Sequence, residues 1–183
     1  ANAILLEIPT ASGVFIDNAI TGIYYTLPNA TATEIISSVY SLADTQAALA
    51  QLTPIQSVYY HDAVNGVNFS DDASLQTLPA ERRSSDYWIG AWRGVVHLPG
   101  TGYYLFRATY DDACVFALDG AAILQGTGCG TVYGAKTLTA GPHDFYLAMF
   151  ELTGSAYVKL EVLEPGATEF RVMPTSWLVA DTT

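Results

Sequence analysis

The clearest pattern of hydrophobic and polar positions lies in residues 103–120, which read YYLFRATYDDACVFALDG. An apolar run ends in two adjacent carboxylates, Asp111 and Asp112, and a second apolar run follows at residues 113–118. An Asp-Gly pair between apolar runs is a strong signal for a β-hairpin. The segment therefore predicts a strand, an acidic corner, a second strand, a tight turn at Asp119-Gly120 and a third strand.

Other segments with alternating or β-rich patterns also predict strands. They are residues 1–10 (which contain AILLEI), 13–26, 55–60, 138–152, 156–162 and 168–178. Residues 44–52, DTQAALAQL, predict the one helix, because Asp44 can cap it, alanines favour it and Pro54 ends it. Trp88 and Trp92 could stack on sugars, but we expect them in the core.

Two neighbouring carboxylates have two interpretations. In an extended trans chain, adjacent side chains point to opposite faces, so Asp111 and Asp112 could simply end a strand and face water. A cis peptide would turn both the same way, and a bound Ca²⁺, which takes six to eight oxygen ligands, could stabilise that arrangement. Spacing alone favours the strand end that faces water, because Asp is common in turns.

A second acidic pair, Asp71-Asp72, competes for the role of metal site. It lies in the polar segment 61–78, between Ser70 and Ser74, with no apolar strand on either side. We interpret it as part of a solvated loop.

Composition narrows the class of protein. The 183 residues suit one domain, and the net charge is −11, with 18 acidic against 7 basic residues. This balance argues against binding to nucleic acid or to anionic membrane surfaces. No apolar run is long enough for a transmembrane span. The first residues lack a basic leader and contain Glu7, so we expect a mature domain from a longer, exported chain.

The chain has two cysteines, Cys114 and Cys129. A hairpin that turns at Asp119-Gly120 places Cys114 opposite Gln125 and brings Cys129 to the same end. A disulfide is then feasible, and closing a loop of about fifteen residues would contribute roughly 3 kcal/mol on a chain-entropy model.

Three longer segments resemble the PA14 family. Residues 88–120, WIGAWRGVVHLPGTGYYLFRATYDDACVFALDG, carry paired tryptophans, a Pro-Gly, a tyrosine pair, an acidic pair and a closing Asp-Gly. Residues 138–151, LTAGPHDFYLAMFE, and 154–166, GSAYVKLEVLEPG, are similar to later segments of the family. The resemblance spans about residues 20–173 and implies an all-β, antiparallel PA14-like β-sandwich with one short helix and long loops, formed by residues 1–183 as a single domain.

The resemblance also implies a metal site. In the lectin branch of the family, a cis Asp-Asp pair binds Ca²⁺, and the ion directly coordinates sugar hydroxyls; Asp111 and Asp112 match this pair. By the same resemblance, Leu152 and Gly154 would supply backbone carbonyls, and Glu151 is either a side-chain ligand or structural. The turn here is shorter than the flocculin turn, which contains an asparagine ligand, so the ligand count stays open.

The sugar itself would contact the acidic corner and two loops beside it. The glycine-rich segment 125–130, QGTGCG, should end next to the corner, as should the turn 151–155. The predicted sugar contacts are Asp111, Asp112, Gln125, Gly126, Thr153 and Ser155.

The sequence thus predicts a non-catalytic, Ca²⁺-dependent lectin domain of a secreted or surface adhesin, which binds cell-surface glycans or free sugars and is monomeric as an isolated domain. One alternative is a structural or protein-binding module in which calcium stiffens a loop; another is a carbohydrate-binding accessory domain of a glycosidase. Glycosidase carboxylates lie about 5–9.5 Å apart across the scissile bond, which two adjacent aspartates converging on an ion do not reproduce. No serine-nucleophile, zinc-helix or nucleotide-loop motif is present.

Overall fold

The computed structural model describes residues 4–7, 15–26, 42–61, 64–69 and 86–181 of the chain. Most of these residues lie in antiparallel β-strands, and one short α-helix, α1, spans Leu42–Ala50. The strands form two sheets that pack face to face as a β-sandwich. No helix in the described ranges has the length and apolar character needed to cross a membrane.

The larger sheet contains nine strands within the described residues. Its main path, in order of hydrogen-bonded neighbours, is β1 (Ile4–Glu7), β4 (Pro54–His61), β3 (Ile20–Thr26), β6 (Trp88–Leu98), β11 (Gly141–Glu151), β8 (Ala113–Leu118) and β9 (Ala121–Thr127). Off this path, β14 (Leu178–Asp181) pairs with β6 and with β2 (Phe15–Asp17).

The smaller sheet contains five strands within the described residues. Its path is β10 (Gly130–Leu138), β7 (Gly102–Asp111), β12 (Tyr157–Leu163) and β13 (Arg171–Val172), and β5 (Asn68–Phe69) also pairs with β12. Because β7 belongs to the smaller sheet and β8 to the larger one, the chain changes sheets at the acidic corner.

The main core lies between the sheets, where the inward side chains of both meet. Trp88 and Trp92 are almost fully buried, which confirms their prediction as core residues. Tyr24 packs on both tryptophans, edge-on to Trp92 at a ring separation of 5.9 Å. Burial of such large aromatic surfaces contributes roughly 2–3 kcal/mol per side chain and fixes the register of β6.

The outer face of the larger sheet is covered in part by α1. Leu42 and Leu49 of the helix belong to a second apolar cluster, together with Ile89, Val115 and Phe150 of the sheet. The helix begins at Leu42, two residues before the predicted capping residue Asp44, which lies in its first turn.

The hairpin prediction at Asp119-Gly120 is confirmed, but its register is not. Leu118 pairs with Ala121 across the turn, and the pairing then shifts by one residue at a bulge between Phe116 and Ala117. An extra residue on one strand displaces all later pairs. Cys114 therefore lies opposite Gly126 and not opposite Gln125.

Three other strand predictions need correction. Residues 13–26 are not one strand, because β2 ends at Asp17 and β3 begins at Ile20, and the two pair with different neighbours. Residues 138–152 are not one strand, because β10 ends at Leu138 and β11 begins at Gly141. The closing segment 168–178 is not one strand either: β13 is followed by Pro174, which limits it, then a 3₁₀ turn at Thr175–Trp177, and then β14.

Candidate functional site

The acidic corner lies between β7, which ends at Asp111, and β8, which begins at Ala113. The Asp111–Asp112 peptide bond is cis, as the resemblance implies, and both side chains are partly exposed. The backbone N–H of Asp112 donates to the carbonyl of Phe150 at 2.8 Å. Its carboxylate Oδ2 accepts a hydrogen bond from the N–H of Leu152 at 2.7 Å. The corner is thus fastened to the end of β11.

The turn after β11 lies beside this corner, as the sequence predicts. The carbonyl of Leu152 accepts a hydrogen bond from the N–H of Tyr87 at 2.9 Å. The N–H of Gly154 donates to Asp86 Oδ1 at 3.1 Å. Thr153, Gly154 and Ser155 are all exposed, so the tip of the turn faces solvent.

Asp86 is a carboxylate at this turn that sequence reasoning missed. It lies two positions before the first residue of β6, and β6 pairs along its length with β11, so Trp88 lies opposite Glu151. The antiparallel pairing therefore carries Asp86 past the end of β11 to Gly154. The available signal was an acidic residue two positions before the tryptophan segment that carries the PA14 resemblance.

Glu151 does not face the solvent, as a side-chain ligand in the exposed turn would. It lies on the inward face of β11, in the alternation that also buries Leu147 and Met149, and its exposed fraction is 0%. Across residues 4–7, 15–26, 42–61, 64–69 and 86–181, no three His, Cys, Asp or Glu side chains cluster in a way that could hold a metal ion. The carboxylates at the corner are thus the adjacent pair Asp111 and Asp112.

The glycine-rich segment does reach the corner. Thr127 pairs with Ala113, and Gly130 pairs with Tyr110, so the turn between β9 and β10 projects at the same end of the sandwich as the aspartates. Gly126 is required there because a side chain would collide with the hydroxyl of Tyr110. Gln125 is exposed, but the bulge moves it one residue farther from the corner than predicted.

Tyr157 forms the wall of the corner on the smaller sheet. It lies directly opposite Asp111 in the pairing of β12 with β7. Burial, followed by the nearby charge of Asp111, raises the pKa of the Tyr157 phenol. The corner is therefore an acidic site bordered by an aromatic hydroxyl that stays neutral at physiological pH.

The proposed disulfide is wrong. Cys114 and Cys129 are both free thiols, Cys114 buried and Cys129 exposed. The shifted register places Cys114 opposite Gly126, inside the core, whereas Cys129 lies in the exposed turn after β9. Their thiols therefore face different environments.

The competing pair Asp71-Asp72 lies outside the described residues, so its interpretation as a solvated loop stays a prediction.

Comparison with protein-family models and with curated protein sequences gives no match. Comparison with solved structures does. The PA14 domain of the antifreeze protein MpAFP superposes with a TM-score of 0.67 at 14% identity, covering 94% of this chain and 95% of that one. The chain has the PA14 fold.

Other PA14-like structures match to the same degree. The PA14 sugar-binding domain from an RTX adhesin has a TM-score of 0.66 at 18% identity, covering 89% of this chain and 98% of that one. The epithelial adhesin 9 A domain from Candida glabrata, in complex with Galβ1-4GlcNAc, has a TM-score of 0.68 at 10% identity and covers 97% of both chains. The predicted PA14-like antiparallel β-sandwich is confirmed, and the described residues contain one short helix.

Proposed function

We propose that this PA14 domain is a non-catalytic, Ca²⁺-dependent carbohydrate-binding domain of a secreted or surface adhesin. The observation that carries the proposal is the attachment of Asp112 to Leu152, which joins the aspartate pair to the exposed turn 152–155. The fold is shared with structures described as a sugar-binding domain of an RTX adhesin and as an adhesin domain in complex with a galactose-containing disaccharide.

The donor set at the corner fits calcium. Ca²⁺ takes six to eight oxygen ligands from carboxylates, carbonyls and water. Asp111 and Asp112 supply carboxylate oxygens, and an oxygen that accepts one hydrogen bond, as Asp112 Oδ2 does, keeps further lone pairs. Leu152 and Gly154 are the proposed carbonyl ligands; the carbonyl of Leu152 accepts one N–H and keeps its second lone pair.

A calcium ion bound there would offer coordination positions at which two neighbouring sugar hydroxyls replace water. The residues around it would select the sugar by shape and hydrogen bonding; the exposed Thr153 and Ser155 contribute hydroxyls from the turn. A shallow polar site buries little area, and each sugar hydroxyl replaces a bound water, so affinity at one site is expected to be weak. Adhesion would then depend on many copies acting together.

One competing function uses the same contacts. Because Asp112 already fastens the turn through Leu152, calcium could serve only to stiffen this end of a structural or protein-binding module. The two functions differ in whether the bound ion contacts a sugar.

Glycan-array binding with calcium, and again after EDTA, tests the proposal. We expect binding to a set of glycans that disappears with EDTA and returns with added Ca²⁺. Asp111→Asn should abolish it, whereas Asp17→Asn, which removes an equal charge from exposed β2, should not. Calcium-dependent stabilisation without any glycan binding would support the structural module, and glycan binding that persists in EDTA would refute the calcium mechanism.

A further inference from the structure

An open pocket lies on the outer face of the smaller sheet, next to the acidic corner. It has a volume of about 270 Å³ and is lined by Asn68, Thr109, Tyr157 and Lys159. Tyr157 is the residue opposite Asp111, and Lys159 lies opposite both Thr109 and Asn68. Residues two positions apart on a strand share a face and lie about 7 Å from each other, as Tyr157 and Lys159 do on β12 and Asp111 and Thr109 do on β7. The pocket therefore begins beside Asp111.

The pocket contains an acceptor without a donor. Asn68 Oδ1 is buried from solvent and has no hydrogen-bond partner among the described residues. Leaving such an atom unsatisfied costs about 1–3 kcal/mol, which a ligand hydroxyl could recover if the Asn68 side chain rotates to expose Oδ1 to the pocket. The other lining groups are donors: the hydroxyls of Thr109 and Tyr157 and the ammonium of Lys159.

Within the described residues, the ammonium of Lys159 is only weakly engaged. Of the carboxylates in those ranges, Glu161 Oε2 is the one that pairs with it, at 3.9 Å. Glu161 is instead held by Arg107 through two hydrogen bonds of 2.7 and 2.8 Å. The side chain of Lys159 is 36% exposed. An ammonium beside two hydroxyl donors is an arrangement suited to a carboxylate.

We propose that this pocket binds a carboxylate-bearing sugar unit, a hexuronate, that is linked to the unit at the aspartate pair. The carboxylate lies against Lys159, Thr109 and Tyr157, and a ring hydroxyl donates to Asn68. The inference rests on the proposed function, because the first unit is held at Asp111 and Asp112. Asp111 and Glu161 would repel an anion, but a divalent ion at the corner would offset the charge of Asp111, and Arg107 already pairs with Glu161.

The test compares matched disaccharides. Galactosyl, glucosyl, mannosyl and fucosyl disaccharides are prepared with either glucose or glucuronic acid as the reducing unit, and their Kd values are measured calorimetrically in calcium. For a terminal sugar that binds, we expect the glucuronate member to bind about fivefold tighter at low salt, with the preference falling as ionic strength rises. Lys159→Gln should remove the preference while changing affinity for the glucose member less than about twofold.

Lys136→Gln is the control, because it removes the same charge from β10, opposite Tyr104 and seven positions along β7 from Asp111. It should keep the preference. An equal or weaker affinity for the glucuronate member, or a preference that survives Lys159→Gln, would overturn the pocket proposal while leaving the lectin intact. If none of the eight disaccharides and no glycan on the array binds, the proposed function itself fails.

Discussion

The carboxylate of Asp112 accepts a hydrogen bond from the backbone N–H of Leu152 at 2.7 Å, across forty positions of sequence. This bond joins the point where the chain changes sheets to the turn that follows β11. Asp112 therefore supports the turn whether or not a metal is bound.

This hydrogen bond predicts that removing the carboxylate of Asp112 has an effect that does not depend on metal. Asp111→Ala should abolish sugar binding and the calcium-dependent part of stability, about 2.7 kcal/mol when calcium is a hundredfold above its Kd. Asp112→Ala should do the same and also lower the free energy of unfolding in EDTA by about 1–3 kcal/mol, because the N–H of Leu152 loses its partner. Urea unfolding with calcium and with EDTA measures both effects.

The matching control is the other acidic pair. Asp71→Ala should leave sugar binding and calcium-dependent stability unchanged. If Asp71→Ala were the damaging substitution, the metal would have been assigned to the wrong pair.

Stability should depend on pH through His143 at the opposite end of β8. Its Nδ1 lies 2.6 Å from Asp119 Oδ2, and its Nε2 lies 2.8 Å from the carbonyl of Thr139. Burial opposes protonation, but these acceptors outweigh it and raise the pKa of His143 above its ordinary value of 6.5. The folded state therefore binds the proton more tightly than the unfolded state.

The stabilisation from this proton is fully present below about pH 6.5 and is lost as pH rises through the raised pKa of the folded state. We expect the urea midpoint to fall over that window, and His143→Gln to flatten the profile there. Measuring midpoints from pH 5 to 9 provides the test, and an unchanged slope in the variant would contradict it.

The two cysteines should differ in reactivity. Burial raises the pKa of the Cys114 thiol to about 12, and Cys129 is exposed. Since the thiolate is the reactive form, a thiol reagent should modify one site per native chain, identified as Cys129 by peptide mapping, and both sites in urea. Resistance of Cys129 to the reagent under non-reducing conditions, reversed by a reductant, would instead indicate a disulfide.

Gly126 should tolerate no side chain. Because a Cβ at this position collides with the Tyr110 hydroxyl, Gly126→Ala should lower the free energy of unfolding by about 1–3 kcal/mol. Tyr110→Phe removes the hydroxyl and should restore part of that loss in the double variant. Gly100→Ala, where nothing lies within 4 Å of the added carbon, is the control and should change stability little.

Much of this protein was determined by the sequence itself. The apolar runs on either side of Asp111 and Asp112 predicted the corner, and Asp119-Gly120 predicted the hairpin. The burial of the tryptophan segment was also predicted. These predictions were possible because period-2 alternation and turn chemistry are local properties. The resemblance carried by residues 88–120 extended these local predictions to the whole sandwich.

Tertiary structure decided what depends on pairing between distant strands. The register shift between Phe116 and Ala117 placed Cys114 opposite Gly126 and not opposite Gln125, as predicted. The pairing of β6 with β11 brought Asp86 to Gly154. Strand β10 was not among the predicted strands, and in it Gly134 lies against the backbone of Ile123 where no side chain would fit. The register of a strand pair and the close approach of two backbones depend on which strands pair. Local residue patterns do not determine that pairing.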